Sequence, residues 1–437
     1  MEQIKDFIEE CKSTVLLKNK QFDIGEEIYA SNLMNLYSIA KSRKETSFQY
    51  THKIKKLVVV SIDNKIYLGS DTGDASYSCV LNDWALGQLC KLIKAPKAYI
   101  KSLPISAAVE CLKSGLALLG NLKRESNIQV YVQDNIIKAI TTERYERIYN
   151  SDFIKKILNF LNRNESTSFF NQPRIANDID NAHLFLSIND NYMSISLLHK
   201  SKIIIDDETY YPGLMFWNSE TGYSKIGFKT FLYRGVCSNK MIFGMKEFNS
   251  DAFVHTRSAH NRLRKALNSY DYKSLFPISS NVLMYDALKR MIHNLKSEYL
   301  NVNLKRYKVD YLNVNNLRNN LKSIGMQEAL AYSVSNYIRD VRCIDCVSDL
   351  EIKYSWWDCI QDITSYAKTL SYAEQRFKCE SYATNIFSNY ISKFGHNKIY
   401  YNRIKIGANK YENRIVDSND ISHHPEVRSV MIKDLIN

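Results

Sequence analysis

The sequence predicts an α+β fold in which antiparallel hairpins pack with helices and a helix-rich C-terminal region follows. Three observations carry that reading. Paired runs rich in β-branched and aromatic residues flank short Asp/Asn turns at Asp63-Asn64, Asp134-Asn135 and Asn189-Asp190-Asn191, and such turns between apolar runs signal hairpins. Between these hairpins lie segments whose apolar residues recur at helical spacing. From Phe253 onward helical spacing dominates. A soft boundary near residue 250 therefore separates a mixed α+β core (51–250) from a basic helical region (251–394). An N-terminal extension (1–50) and a polar C-terminal tail (395–437) flank them.

Taken in order, Ile4, Phe7, Ile8 and Cys11 share one helical face. Lys41, Arg43, Lys44, Lys53, Lys55 and Lys56 form a basic segment, read either as a solvated loop or as an arm touching phosphates. Two strand-like runs surround Asp63-Asn64. Asn82 or Asp83 caps a helix whose apolar face holds Leu86, Leu89, Leu92 and Ile93. Pro96 interrupts it, so Lys91, Lys94, Lys97 and Lys101 are read as a wet face rather than one continuous cationic arc. A second helix runs from Ser106 to about Leu119. The hairpin at 128–142 leads to Thr142-Glu-Arg-Tyr-Glu-Arg-Ile-Tyr149, then a helix capped by Ser151 or Asp152. Strand runs at 182–205 precede Gly213–Gly244, a stretch dense in glycine, aromatic and cationic residues. The glycines lack phosphate-loop or dinucleotide spacing and are read as allowing tight turns. Beyond 253, Ala259, Leu263 and Leu267, then Leu283, Leu288, Ile292 and Leu295, recur at helical spacing. His255, Arg257, His260, Arg262, Arg264 and Lys265 form the densest cationic cluster. Helices continue over 325–394, and a strand is expected over Lys398–Ile406.

The totals bound the function classes. A chain of 437 residues with 45% hydrophobic and 24% charged residues is globular in composition and long enough for two or three domains. The net charge of +13 and pI near 9.1 favour polyanion partners, nucleic acid first. Nine scattered cysteines, an odd number, read as thiols of a reducing cytoplasm rather than a disulfide framework. The acidic start, MEQIKDFIEE, is not read as a signal peptide, and no apolar run is expected to cross a membrane.

No catalytic signature stands out. Cys343-Ile-Asp-Cys346 has the spacing of half a zinc site, but no second close pair completes it, so buried thiols are the better reading. His423-His424 has no third ligand nearby in sequence. The pairs Asp178/Asp180 and Asp206/Asp207 fall in turn-like segments. A metal-dependent nuclease assembled from distant carboxylates stays open as an alternative, and no cofactor is expected. The strongest physical signal is cations beside aromatics on β-like segments: Arg144-Tyr145 with Arg147 and Tyr149, Tyr223 with Lys225, and Lys229 with Tyr233-Arg234. Single-strand binders stack bases on such rings inside a basic groove. The same alternation suits a strand with one face in the core and its charges in water. Trp84, Trp217 and Trp356 are assigned to the core.

Several stretches resemble the phage/plasmid-like protein family catalogued as domain of unknown function 932. They are Leu81-Asn-Asp-Trp-Ala-Leu-Gly-Gln-Leu-Cys-Lys-Leu92, Thr142–Tyr149, Phe216-Trp-Asn-Ser-Glu-Thr-Gly222, Thr230–Gly244, His255-Thr-Arg-Ser-Ala-His260, and Trp357-Asp with Ile363-Thr-Ser-Tyr-Ala367. The resemblance spans roughly residues 50–390. It implies a phage- or plasmid-encoded protein acting in a bacterial cytoplasm, with the virion as an alternative location, and it transfers no catalytic residues. The alternation of hairpins and helices is also similar, at fold level, to the β-β-β-α core of phage single-strand annealing proteins. Charge and resemblance together point to a non-catalytic, homo-oligomeric single-stranded DNA binder of recombination or replication, with strand annealing as its sharper form. A structural or virion-associated role is the alternative. The expected contacts are Arg144, Arg147, Lys225, Lys229 and Arg234 on phosphates, Tyr145 and Tyr223 on bases, and His255, Arg257, Arg262 and Arg264 as auxiliary phosphate contacts.

Overall fold

The turn dipeptides govern the first half of the chain. Asp63-Asn64, Asp134-Asn135 and Asp206-Asp207 all hold positive φ, between 48° and 64°. Two consecutive positive φ values give a turn whose twist matches that of the strands it joins, and Asp and Asn tolerate that region best among residues with side chains. The computed structural model describes residues 27–30, 32–70, 79–122, 126–163, 186–198, 203–234, 239–241, 251–269, 282–300, 311–344, 354–370, 373–394, 396–406, 411–417 and 426–432.

The first unit runs β1 (Ile28–Tyr29), α1 (Leu33–Glu45), β2 (Ser47–Lys53), β3 (Leu57–Ile62), β4 (Lys65–Ser70), β5 (Cys79–Leu81), α2 (Asp83–Leu92), α3 (Lys97–Ser102), α4 (Ile105–Leu122), β6 (Asn127–Gln133) and β7 (Ile136–Thr142). Six strands form one sheet in the order β2-β6-β7-β5-β4-β3, antiparallel except for β5 beside β7. That parallel pair needs a long crossover, which α2, α3, α4 and β6 supply. The run β3-β4-β5-α2 has β-β-β-α order. Leu86, Leu89, Leu112 and Leu116 pack on Val59, Leu68, Val130 and Ile137 to form its core. Asn82 caps α2 by accepting from Ala85 N at 2.8 Å. Lys94 at φ 60° and Pro96 break α2 from α3. Lys97 and Lys101 both turn onto Asp83, at 2.6 and 2.9 Å, so no continuous lysine arc forms. Contrary to the sequence expectation, α4 is long and apolar enough to cross a membrane by length and composition. Its Val109, Leu112 and Leu116 face packs on the sheet, whereas Leu118 and Leu122 are exposed.

The second unit follows: α5 (Asn150–Arg163), β8 (Leu186–Ile188), β9 (Met193–Leu198), β10 (Ile203–Ile205), β11 (Glu208–Asn218), β12 (Ile226–Arg234), β13 (Asn239–Met241), β14 (Asp251–Phe253) and α6 (Ala259–Ser269). Its sheet runs β1-β8-β9-β11-β12-β13, with β10 on β11 and β14 on β12. Helices cover both faces. Leu36, Ile154, Ile157 and Leu263 from α1, α5 and α6 pack on Ile195, Phe216 and Phe228. On the other face Met215, Trp217, Phe231 and Tyr233 meet Phe377. This double cover explains the near-continuous apolar character of β9 and β11.

Five more helices form the third unit: α7 (Val282–Ser297), α8 (Tyr311–Ser323), α9 (Glu328–Ile344), α10 (Trp356–Lys368) and α11 (Ala373–Phe394). Ser355 and Asp358 form a capping box at the start of α10. The core of this unit continues into the second sheet through Ile203, Ile205, Tyr210 and Leu232. β15 (Lys398–Lys405), β16 (Tyr411–Val416) and β17 (Arg428–Met431) make a third antiparallel sheet in the order β16-β15-β17.

The fold class is α+β, with antiparallel sheets packed against helices. The drawn boundaries fare differently. Residues 28–53 supply β1, α1 and β2 to the two sheets. Lys41, Arg43, Lys44 and Lys53 of the basic segment lie in these elements, and Lys55 and Lys56 in a short 3-10 helix after β2, rather than in a loose arm: Arg43 donates to Asn189 O at 2.7 Å and Lys44 meets Asp152 at 2.9 Å. α6 belongs by packing to the second unit, and within the polar tail β15, β16 and β17 form a sheet. The expected helix around Ile4–Cys11, Asp178/Asp180, Cys346 and His423-His424 lie outside the described residues.

Candidate nucleic-acid interface

Four polar residues at the β11–β12 turn, Asn218, Ser219, Glu220 and Thr221, are almost fully buried. Burying such groups is costly unless they find hydrogen bonds, and here most come from the first unit and from the loop and first residue of α5 that follow it, while Asn218 Oδ1 finds none among the described residues. Asn218 Nδ2 donates to Ile148 O and to Asn150 Oδ1, both at 2.8 Å. Ser219 O accepts from the Tyr145 hydroxyl at 2.9 Å. Glu220 accepts from the Tyr131 hydroxyl at 2.8 Å and from Asn150 N at 2.6 Å. Its carbonyl accepts from Arg147 Nη1. Thr221 O accepts from Trp84 Nε1 at 3.1 Å and Gln88 Nε2 at 2.9 Å. Gln88 Oε1 in turn accepts from Ile140 N at 2.7 Å. The turn is thus pinned to β6, β7, α2 and the β7–α5 loop. Gly222, at φ +75°, lets it close beneath the Tyr145 ring; a Cβ there would stand 3.3 Å from that ring in a strained conformation.

Arg147 lies inside this junction. Its Nε donates to Gln49 Oε1 at 2.9 Å, and its guanidinium stands 3.9 Å from the Tyr131 ring centroid and 5.4 Å from that of Tyr145. Burial holds the guanidinium below its ordinary pKa. Burial also raises the Glu220 carboxyl, against the pull of Asn150 N, Tyr131 and Arg147. The Tyr145 hydroxyl is raised by burial too. His255 is buried, stacks on Tyr145 at 5.0 Å, and its carbonyl accepts from Glu146 N at 3.1 Å. The β7–α5 loop, the β11–β12 turn and the β14–α6 loop therefore meet at one place.

Three cations flank this junction, with the exposed Glu143 beside one of them. Arg144 beside Tyr145, Lys225 beyond Tyr223, and Arg257 beyond His255 are all exposed. Tyr223 is 38% exposed and leans on Trp84 at 4.8 Å. On α6, Leu263 and Leu267 face inward while Arg262, Arg264 and Lys265 face water. Arg262 rests on Thr256 Oγ1 at 3.2 Å and lies 5.5 Å from the Phe253 ring. Among the described residues, Arg144, Lys225, Arg257, Arg264 and Lys265 form no ion pair.

The structure corrects the sequence reading for the remaining residues. Arg147, Tyr145 and His255 stand within the junction rather than on its surface. Lys229 faces α11, its Nζ 4.3 Å from the Phe377 ring centroid, and burial lowers its pKa to about 7 against the opposing pull of Glu380. Arg234 binds Glu208 through Nε at 2.9 Å and Nη2 at 2.6 Å, and Gln361 through Nη1 at 3.0 Å. It ties the second sheet to α10. The physical reason is the double cover of that sheet: β12 has no face free for charges, so its cations are desolvated or paired. The sequence reading missed Gln49, Gln88, Tyr131, Asn150 and Glu220 as the frame of the junction. The run of four polar residues between two strands was the available signal, but their partners are 68–137 residues away.

Among the described residues no group of three or more His, Cys, Asp or Glu side chains is arranged to hold a metal ion. Cys359 and Cys379 are buried thiols; burial pushes Cys379 up to about 12, and it donates to Ile363 O at 3.6 Å. No family model, curated protein or solved structure matches this chain.

Proposed function

We propose that the protein binds single-stranded nucleic acid, DNA first, on the cationic rim of the three-loop junction. The observation that carries this reading is the set of exposed cations, Arg144, Lys225 and Arg257 on the loops of one junction and Arg264 on the helix that follows, which form no ion pair among the described residues and stand with the exposed ring of Tyr223. A cation without a carboxylate partner can take a phosphate and release its counterions, which is the main source of sequence-independent affinity. Tyr223 offers a stacking surface of a kind worth about 1–3 kcal/mol per base. The buried network below fixes the loops in advance, which lowers the ordering cost of binding. Arg262, near the start of α6 and resting on Thr256 of the β14–α6 loop, adds to this set. In this reading the chain belongs to the phage/plasmid-like family, assembles as a homo-oligomer and serves recombination or replication in a bacterial cytoplasm. Annealing then needs no cofactor, because base pairing supplies the free energy.

Fluorescence anisotropy with a labelled 30-nucleotide oligothymidylate tests this. The expected result is sub-micromolar affinity at about 50 mM salt, with this rim alone contributing roughly −2 to −3 to the log–log salt slope through three to four phosphates. Charge-neutral substitution of Arg144, Lys225 and Arg257 together should flatten that slope. Micromolar or weaker affinity, or no steep salt dependence, refutes the proposal.

A further inference from the structure

The third sheet leaves the core partway along its length, and its inner face changes character there. Register places the side chains of that face in cross-strand rows. At the base, Ile399 is fully buried and Ile415 and Val430 pack on the helical core. One step out, Tyr401 stands between Ile415 and Arg428. Beyond it come Arg403 opposite Asn413, then Lys405 opposite Tyr411. Arg403, Lys405, Tyr411 and Arg428 are exposed, Tyr411 by 49%. The Arg403 guanidinium stands 4.5 Å from the Tyr411 ring centroid.

The distribution of acid is the deciding feature. The three strands carry a single carboxylate, Glu412, against five cations. Strand alternation puts Glu412 on the opposite face, where Arg414 lies 3.8 Å from it. The face of Arg403, Lys405 and Arg428 therefore has no acid among the described strand residues, and these three form no ion pair there. Beside them the exposed Tyr411, with the Arg403 guanidinium over its ring, offers a flat surface that accepts a base.

From this we infer that the outer half of the β15–β17 face is a second contact surface for single-stranded nucleic acid, with Arg403, Lys405 and Arg428 on phosphates and Tyr411 under a base. The inference rests on the nucleic-acid reading above and assigns that function to a sheet far along the chain from the junction. A basic and aromatic sheet face with no acid among its described strand residues complements a chain that is a polyanion with exposed rings.

The test compares wild type with Arg403→Gln/Lys405→Gln/Arg428→Gln by anisotropy on the same oligothymidylate, with thermal melting as the folding control. Loss of three phosphate contacts at about 0.7 each should make the log–log salt slope shallower by about 2. The wild-type advantage should then shrink about 18-fold between roughly 50 and 200 mM salt. Tyr411→Ser should lower affinity roughly 5- to 100-fold while leaving the slope unchanged. Should the triple variant melt early, Lys405→Gln alone, at an exposed position, carries the same test with a slope change of about 0.7. If wild type binds tightly and the folded variants match it within about twofold with an unchanged slope, this inference is overturned and the junction reading stands. If wild type itself does not bind, both fall together.

Discussion

Arg144 and Arg147 lie three residues apart, and the structure gives them opposite roles. Replacing Arg147 with Met keeps much of the aliphatic bulk and removes the guanidinium. Gln49 Oε1 and the Glu220 carbonyl then lose a charged donor, and Tyr131 loses the cation over its ring. Charged hydrogen bonds contribute about 1.5–3 kcal/mol each, and a desolvated cation–π contact about 2. Against this, the variant no longer desolvates a guanidinium, one of whose Nη atoms has no hydrogen-bond partner. The net loss should be about 3 kcal/mol, at the lower end of the range for breaking a buried charged network. Arg144→Gln removes an exposed, unpaired cation and should leave stability within about 0.5 kcal/mol. Urea denaturation measures the first quantity and anisotropy on the folded fraction the second. Arg147→Met should lower the urea midpoint and leave the salt slope of binding intact; Arg144→Gln should keep the midpoint and flatten the slope by about 0.7. If Arg147→Met is as stable as wild type, the junction is not the rigid frame described. If it instead abolishes binding without loss of stability, Arg147 touches ligand and the burial argument fails.

Two further predictions concern the second sheet. The folded pKa of Lys229, about 7, lies below its ordinary 10.5, so between those values the unfolded chain holds a proton that the native state lacks and stability rises with pH; Lys229→Met should therefore gain about 2–3 kcal/mol more at pH 6 than at pH 9 in paired urea titrations, and an equal effect at both would refute the buried-lysine assignment. At Gly213 a Cβ would stand 2.2 Å from the Phe231 ring across the strand pair, so Gly213→Ala should cost about 1–3 kcal/mol, with Phe231→Leu restoring part of it; additive losses would refute the clash.

The hairpins were legible because a two-residue Asp/Asn turn is a local feature whose φ requirement is written in the residues themselves. Asp63-Asn64 and Asp134-Asn135 behave as read. So does the cap at Asn82. The pairing of β5 with β7, and the entry of residues 28–53 into both sheets, depend on partners tens to hundreds of residues away, and no local pattern reports them. In the tail, the strand expected over Lys398–Ile406 is present as β15, and it is its partners β16 and β17 that no pattern marked. Among the described tail residues only Ile399, Val416 and Ile432 are buried, amid partly buried residues such as Ile415 and Val430 and a polar remainder, too sparse a set to register as a period.

The cations of β12 show where sequence reading reaches its limit. Alternation on a strand distinguishes two faces but does not say what lies over each. Lys229 and Arg234, five residues apart on β12, point to opposite faces, so leaving either face open would have made one of them a wet cation. With helices on both faces they must be paired or desolvated, and they are: Arg234 on Glu208, Lys229 over Phe377. Loops escape that ambiguity because they run over the surface, and the exposed cations Arg144, Lys225 and Arg257 all sit on loops held by buried neighbours. The same reasoning explains why the WNSET turn was distinctive and yet not itself the contact surface. Its polar residues are spent on holding Tyr145, Asn150 and Arg147 in place, and any binding falls to the side chains that this frame leaves over.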